Sequence, residues 1–155
     1  MEEISPELHL GNQLCFPLYA TSRLTTKIYA PYLNRLGITY PQYLVMLALW
    51  QYGELSVKEI GERLYLESNT LTPLLKRLEQ KALIVRERSK LDERTVVISL
   101  TSSGIKMKGQ AVEIPKRIVE SFNDQTLDGE ELAVFQKTLF KLLKVLDGRV
   151  SKAKE

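Results

Sequence analysis

Helical periodicity over most of the chain, two short helices in tandem and two β-branched runs directly behind them predict a mainly α (α+β) protein. In that order they make a winged helix-turn-helix, here with N- and C-terminal dimerisation helices. The arrangement rests on one stretch, Leu64 to Gln80, LYLESNTLTPLLKRLEQ. Leu71, Leu74, Leu75 and Leu78 recur there at helical spacing, so one face packs on a core. The opposite face shows Ser68, Asn69, Thr70 and Thr72 first, with Lys76, Arg77 and Gln80 behind. Short hydrogen-bonding side chains at the front and cations in later turns suit a helix that reads base edges and holds phosphates.

Ahead of that stretch, Leu8, Leu14, Leu18, Leu24 and Ile28 suggest a first helical region to about Tyr32, closed by Gly37. Pro6 suits its start. Pro17 inside a regular helix would remove one backbone bond and clash with the carbonyl of Gln13. The helix therefore either begins later than the apolar pattern or bends next to Cys15. Thr39-Tyr40-Pro41 opens a second helix, with Pro41 at a favourable first-turn position. Its segment Tyr43 to Tyr52 is apolar nearly all round, which predicts burial between other elements, and Gly53 ends it. Ser56-Val57-Lys58-Glu59 has the form of a capping box and starts a short helix through Arg63. Leu64-Tyr65-Leu66 then turns into the next helix, where Pro73, near the start, is expected to cost one backbone bond.

After Lys81-Ala82-Leu83 the period changes. Ile84 to Arg88 and Thr95 to Leu100 are runs of strand length, joined by the polar loop Ser89 to Arg94. Two antiparallel strands with a charged tip form the wing. Thr101-Ser102-Ser103 caps a further helix holding Ile105, Met107, Val112, Ile118, Val119 and Phe122, with a kink expected at Pro115. Asp128 with Glu131 starts the last helix, in which Leu132, Phe135, Leu139, Leu142 and Leu146 form a seam that Phe140 and Leu143 widen. Residues 1–155 are thus expected to be a single protomer: 1–36 and 102–155 a dimerisation region, 37–101 the winged helix-turn-helix DNA-binding region. Twofold proteins read palindromic half-sites, so a palindromic double-stranded DNA operator is the expected partner.

The charge agrees with that partner. The net charge is +3, yet Lys76 to Arg94 alone holds seven Lys or Arg against four Asp or Glu, and the remainder cancels at fifteen of each. The excess positive charge is a patch. One histidine, His9, and one cysteine, Cys15, exclude a self-contained zinc cluster, a CxxC pair and an intrachain disulfide; no metal or other cofactor is expected. No apolar run approaches the ~18 residues of a membrane span, and the N-terminus MEEISPELHL is acidic, so a cytoplasmic protein is expected.

With these residues in place, the chain from about Leu8 to Leu146 resembles the MarR family of bacterial dimeric repressors, whose D-x-R wing pattern stands here as Asp92-Glu93-Arg94. Three segments are similar to its OhrR-type branch of organic-hydroperoxide sensors: Asn12 to Phe16, Ile38 to Leu44 and Thr70 to Arg77. The resemblance implies a repressor that leaves DNA when Cys15 is oxidised. It also implies a cysteine at the dimer interface, hydrogen-bonded by two tyrosines of the partner subunit at the positions of Tyr29 and Tyr40, with Tyr19 a further aromatic nearby. Pro17 stands where that pattern has an ordinary apolar residue.

The thiolate is the reactive form of a cysteine, and a helix N-terminus and phenolic O–H donors both favour an anion. Peroxide attack gives a sulfenic acid. Phe16 and the neighbouring leucines suit an organic or lipid hydroperoxide. Without a second cysteine the sulfenate must meet a small cellular thiol (ranked first), cyclise to a sulfenamide, pair with Cys15 of another subunit or oxidise further.

For DNA, Ser68, Asn69, Thr70 and Thr72 are the base-edge candidates, and Lys76 and Arg77 the phosphate holders. Lys90 and Arg94 are the wing's backbone or minor-groove candidates, with Asp92 expected to orient Arg94 by a salt bridge. Arg86 and Arg88 could equally line the strand face. The alternatives are a MarR-type repressor released by a small aromatic ligand, its pocket lined by Tyr29, Tyr40, Tyr43 and Trp50, and a global or virulence thiol-sensing regulator. An enzyme is not expected, because no motif sets a partner His or Arg near Cys15.

Overall fold

The computed structural model describes residues 5–122 and 127–153. The order is α1 (Cys15–Arg35), α2 (Tyr40–Tyr52), β1 (Leu55–Ser56), α3 (Val57–Leu64), α4 (Ser68–Gln80), β2 (Ile84–Arg88), β3 (Val96–Leu100), α5 (Ser102–Ala111), α6 (Ile114–Phe122) and α7 (Gly129–Lys152). The chain divides into two compact units, Met1–Ile114 and Pro115–Glu155.

In the first unit, two single 3-10 turns, Pro6–Leu8 and Leu10–Asn12, precede α1. Regular helix thus begins later than the apolar pattern, and Pro17 falls in its first turn, where no intrahelical N–H is required. The other proline, Pro31, lies inside α1, which nevertheless continues to Arg35, past the expected end at Tyr32. Thr39 and Gln42 form a capping box at α2, with Gln42 Oε1 accepting from the Thr39 N–H at 3.0 Å. That bond explains how Gln42 can be buried among apolar residues. Gly53 ends α2 with φ 78, a left-handed conformation suited to glycine.

The capping box at Ser56 and Glu59 forms as the spacing predicts. Tyr65 then takes the left-handed region, φ 54, to turn α3 into α4. The turn lies close over Gly61, where a Cβ would be 2.8 Å from the Leu66 carbonyl oxygen. Leu71, Leu75 and Leu78 of α4 are buried, and Leu74 is half-buried at the edge of the stripe. Pro73 sits in the sixth position of α4.

The sheet has the order β1-β3-β2, antiparallel throughout. β1 is not foreseen from the sequence: two residues that pair Leu55 with Ile98 and Ser56 with Val97. They make β3 central and Ile98 wholly buried. The roots of the wing strands are tied together by Thr101, which caps α5 through the Gly104 N–H at 3.0 Å. Its own N–H donates to the Leu83 carbonyl at 3.1 Å and its hydroxyl to the Ala82 carbonyl at 2.6 Å. A Cβ on Gly104 would overlap the Leu83 carbonyl oxygen.

The helices α1 and α2 also meet through aromatic rings. Tyr29 and Tyr40 have centroids 4.8 Å apart, Tyr43 lies 5.9 Å and 6.4 Å from them, and Trp50 meets Tyr43 edge-on at 6.2 Å. The Tyr43 hydroxyl is buried with no hydrogen-bond partner. Burial, and then the neighbouring Tyr29 and Tyr40, push its ionisation up to about 12.

The expected single helix from Ser102 to Phe122 is instead two, α5 and α6, broken at 112–113. Pro115 is the second residue of α6, so the proline that would kink one helix stands at the start of another. In the second unit Asp128 and Glu131 form the expected capping box, with Asp128 Oδ1 accepting from the Glu130 and Glu131 N–H groups at 2.8 and 2.9 Å. None of the apolar seam of α7 is buried; Phe135, Phe140 and Leu146 are exposed.

Two outcomes follow from this packing. Gly104→Ala is expected to lower unfolding free energy by about 2–4 kcal/mol through overpacking. Gly109→Ala, in the same helix with open space around it, is expected to raise it by about 0.5–1 kcal/mol; urea melts of both variants compare them. For Tyr43, the unfolded phenol ionises near 10.0 and the folded one near 12, so native stability is intact below the first value and declines as pH rises toward the second. Wild type should therefore lose stability relative to Tyr43→Phe across that window, and absorbance titration should show the last phenolate missing from the variant.

Candidate nucleic-acid interface and cysteine site

The polar face of α4 is open. Ser68, Asn69, Thr70 and Thr72 are exposed, as are Lys76 and Arg77 further along. Their side chains do not stand equal. The Thr72 hydroxyl donates to the Ser68 carbonyl at 2.7 Å and the Thr70 hydroxyl to Asn69 Oδ1 at 3.3 Å, which leaves the Asn69 amide N–H groups free to donate outward.

The wing tip is built from two side chains. Ser89 Oγ accepts from the N–H groups of Leu91 and Asp92 at 3.2 and 3.4 Å. Asp92 Oδ1 accepts from the Arg94 backbone N–H at 3.0 Å, and Oδ2 from the Thr95 hydroxyl at 2.8 Å. The Arg94 amide, then Thr95, hold the Asp92 carboxyl below the usual carboxylate range. The expected salt bridge between Asp92 and the Arg94 guanidinium does not form. Asp92 orients Arg94 through its main chain, because an Asx-type turn satisfies the carboxylate two and three residues on. Lys90 and Arg94 are exposed, with their cations outside this turn.

Three contacts join elements across the first unit and have no signal in the sequence. Arg86 on β2 donates to Glu79 Oε2 at the end of α4, at 2.9 Å from Nε and 2.6 Å from Nη2. Arg86 therefore braces the wing against α4, while Arg88 is exposed. The Lys81 ammonium donates to the Gly37 carbonyl beyond α1, and the Trp50 indole N–H donates to the Gly104 carbonyl at 2.9 Å. These partners lie 7, 44 and 54 residues apart, beyond any spacing rule.

Cys15 is the first residue of α1 and is exposed, between exposed Leu14 and Phe16. Tyr19 is exposed one turn on, with the Arg23 guanidinium 5.7 Å from its ring. Tyr29 and Tyr40 are brought together in the aromatic cluster, but Cys15 is not brought to them. Tyr29 follows Cys15 by fourteen residues on one continuous helix, roughly 21 Å along its axis. Neighbouring rings of the four stand at centroid separations of 4.8 to 6.4 Å, within the range of aromatic contact. Burial raises the Tyr29 and Tyr40 phenols above their ordinary value, so both keep their protons as donors near neutrality.

Comparison with known proteins identifies the arrangement. The family model for the transcriptional regulator SarA/Rot matches residues 27–110. The organic hydroperoxide resistance transcriptional regulator of Bacillus subtilis is 51% identical over 146 residues, 94% of this chain and 97% of that one. The HTH-type transcriptional regulator SarZ of Staphylococcus aureus is 43% identical over 115 residues, 74% of this chain and 78% of that one. Among solved structures, reduced AbfR bound to DNA matches with TM-score 0.72 at 40% identity, covering 88% of this chain and 94% of that one. The disulfide-formed state of AbfR matches with TM-score 0.61 at 40% identity, covering 89% and 92%. These relatives are regulators of transcription and not enzymes, and no described helix is long and apolar enough to cross a membrane. The winged helix, the open polar face of α4 and these relationships together lead to one conclusion: the chain belongs to the MarR family of DNA-binding transcriptional regulators, on its OhrR-type branch.

Proposed function

We propose that the protein is a homodimeric repressor that senses organic hydroperoxides through Cys15 and then releases a palindromic operator. The observation that carries this reading is the separation of Cys15 from Tyr29 and Tyr40. An exposed thiol at one end of α1 and two phenols in contact near its other end meet only if a second copy brings Tyr29 and Tyr40 of the partner subunit to Cys15. The exposed apolar faces of α1 and α7 support residues 1–36 and 102–155 as the dimerisation region, leaving 37–101 to bind DNA.

On this reading the Cys15 thiolate attacks the peroxide O–O bond. Sulfur takes one oxygen as sulfenic acid, and the remainder leaves as an alcohol. Exposed Leu14 and Phe16 beside the thiol favour an apolar peroxide. A small cellular thiol then condenses with the sulfenic acid, releasing water and leaving a mixed disulfide. The added group parts Cys15 from the partner's Tyr29 and Tyr40, and the two reading heads turn out of register. Half-sites about 34 Å apart tolerate little misplacement. AbfR occurs in both a reduced DNA-bound form and a disulfide form. With one cysteine in each chain here, any disulfide of Cys15 takes its second sulfur from another molecule.

In the DNA complex Asn69 reads a base edge, with Ser68, Thr70 and Thr72 beside it. Lys76 and Arg77 hold phosphates, Lys90 and Arg94 reach the backbone or minor groove from the wing, and Asp92 shapes the turn that aims Arg94.

Binding to DNA from the protein's own upstream region tests the sensor. Reduced protein is expected to bind tightly and to lose at least about tenfold in affinity after one equivalent of cumene hydroperoxide, a change of ~1.4 kcal/mol. Cys15→Ser should bind the same DNA and ignore the peroxide; release of that variant as well would remove Cys15 from the mechanism. Asn69→Ala should weaken binding about tenfold and relax preference at one base pair, whereas Lys90→Ala should weaken all sequences alike and lower the salt slope by about one.

A further inference from the structure

We propose that Trp50 is the positioning residue through which the tyrosine cluster sets the wing. The proposal rests on the Cys15 reading for its signal but stands on its own geometry at the wing. The Trp50 ring has two neighbours of different kinds. On one side it meets Tyr43 edge-on at 6.2 Å, and Tyr43 in turn packs on Tyr29 and Tyr40. On the other side its indole N–H donates to the Gly104 carbonyl at 2.9 Å.

Gly104 is not an ordinary helix residue. It receives the Thr101 cap, and Thr101 holds the carbonyls of Ala82 and Leu83 that immediately precede β2. Thr101 itself immediately follows β3. Both wing strands therefore spring from one knot of hydrogen bonds made by the Thr101 hydroxyl and amide, packed so closely that Gly104 has no room for a side chain. Trp50 fastens α2 to that knot.

A hydrogen bond already at 2.9 Å is lost within about half an ångström of stretching, so the ring and the wing root move together or part. Tyr43 cannot shift without pressing on the ring, because it is buried and in contact on both sides. Displacement of Tyr29 and Tyr40 is thereby delivered to Arg94 and Lys90 at the wing, while the Leu71, Leu75 and Leu78 stripe holds the base-reading end of α4 and the Glu79–Arg86 pair joins the wing only to its far end.

A double-mutant cycle on the full chain tests this, read as affinity for the same upstream DNA. Arg94→Ala should weaken the otherwise wild-type reduced protein about tenfold but the Trp50→Phe protein less than about threefold, since the wing is already loose there. Asn69→Ala should cost both backgrounds equally. One equivalent of cumene hydroperoxide should weaken Trp50→Phe less than about threefold, against the tenfold or more expected of wild type. An equal cost of Arg94→Ala in both backgrounds overturns the proposal at the wing, and full peroxide release of Trp50→Phe overturns it at the tyrosine cluster. Cys15→Ser beside them separates the two failures: if it still responds to peroxide the sensor reading falls, while the reduced-state cycle still decides the role of Trp50. Should Trp50→Phe not fold by circular dichroism, Trp50→His, which keeps a ring N–H, enters the cycle. It must then reproduce the wild-type cost of Arg94→Ala, and failure to do so also overturns the proposal.

Discussion

Because Leu71, Leu75 and Leu78 lie along one side of α4 and are each 1% exposed or less, the helix can turn only slightly before one of them meets water. Exposing a leucine of this kind costs about 1.5–3 kcal/mol, a large share of a domain's marginal stability. The apolar stripe therefore aims the polar face, and the aim of Ser68, Asn69 and Thr70 is a consequence of what is buried behind them. The same stripe fixes where Glu79 stands, and through Arg86 it fixes β2. The Glu79–Arg86 pair is partly exposed and contributes modestly to stability, but two N–H groups of one guanidinium meeting a single carboxylate oxygen tie the wing to the end of the helix.

What could be read from the sequence was what local chemistry decides. The caps at Ser56 and Asp128 need only a hydroxyl or carboxylate and a Glu three residues on, and both form. Pro41 and Gly53 bracket α2 for equally local reasons. The parts that were not legible depend on meetings across the fold. β1 is two residues long, too short for any alternation, and exists only because β3 offers it an edge. The break at 112–113 reverses the expected kink because Pro115 starts a helix as readily as it bends one. Asp92 was expected to find the nearest guanidinium, yet the backbone amide two residues on is fixed in place and loses no side-chain entropy in bonding.

The candidate site divides along the same line. That α4 would show its polar residues outward followed from period alone, and the open face of Asn69 and its neighbours agrees. The tyrosines are different. Their expected role toward Cys15 rests on resemblance, whereas the contact of Tyr29, Tyr40, Tyr43 and Trp50 as one packed row is a property of how α1 crosses α2. A buried hydroxyl without a partner, as on Tyr43, is an arrangement that no pattern of residues announces.

Pro17 has a further consequence. Its ring, in the third position of α1, crowds the carbonyl of Gln13 and leaves one bond unmade in any further turn toward the N-terminus. The helix frays from this end more readily than it grows past it. Winding Cys15 further inside would cost about 3 kcal/mol, so it stays by preference at the place where regular hydrogen bonding begins. The proline acts as a peg that holds the sulfur at the rim of the helix, not in its shaft.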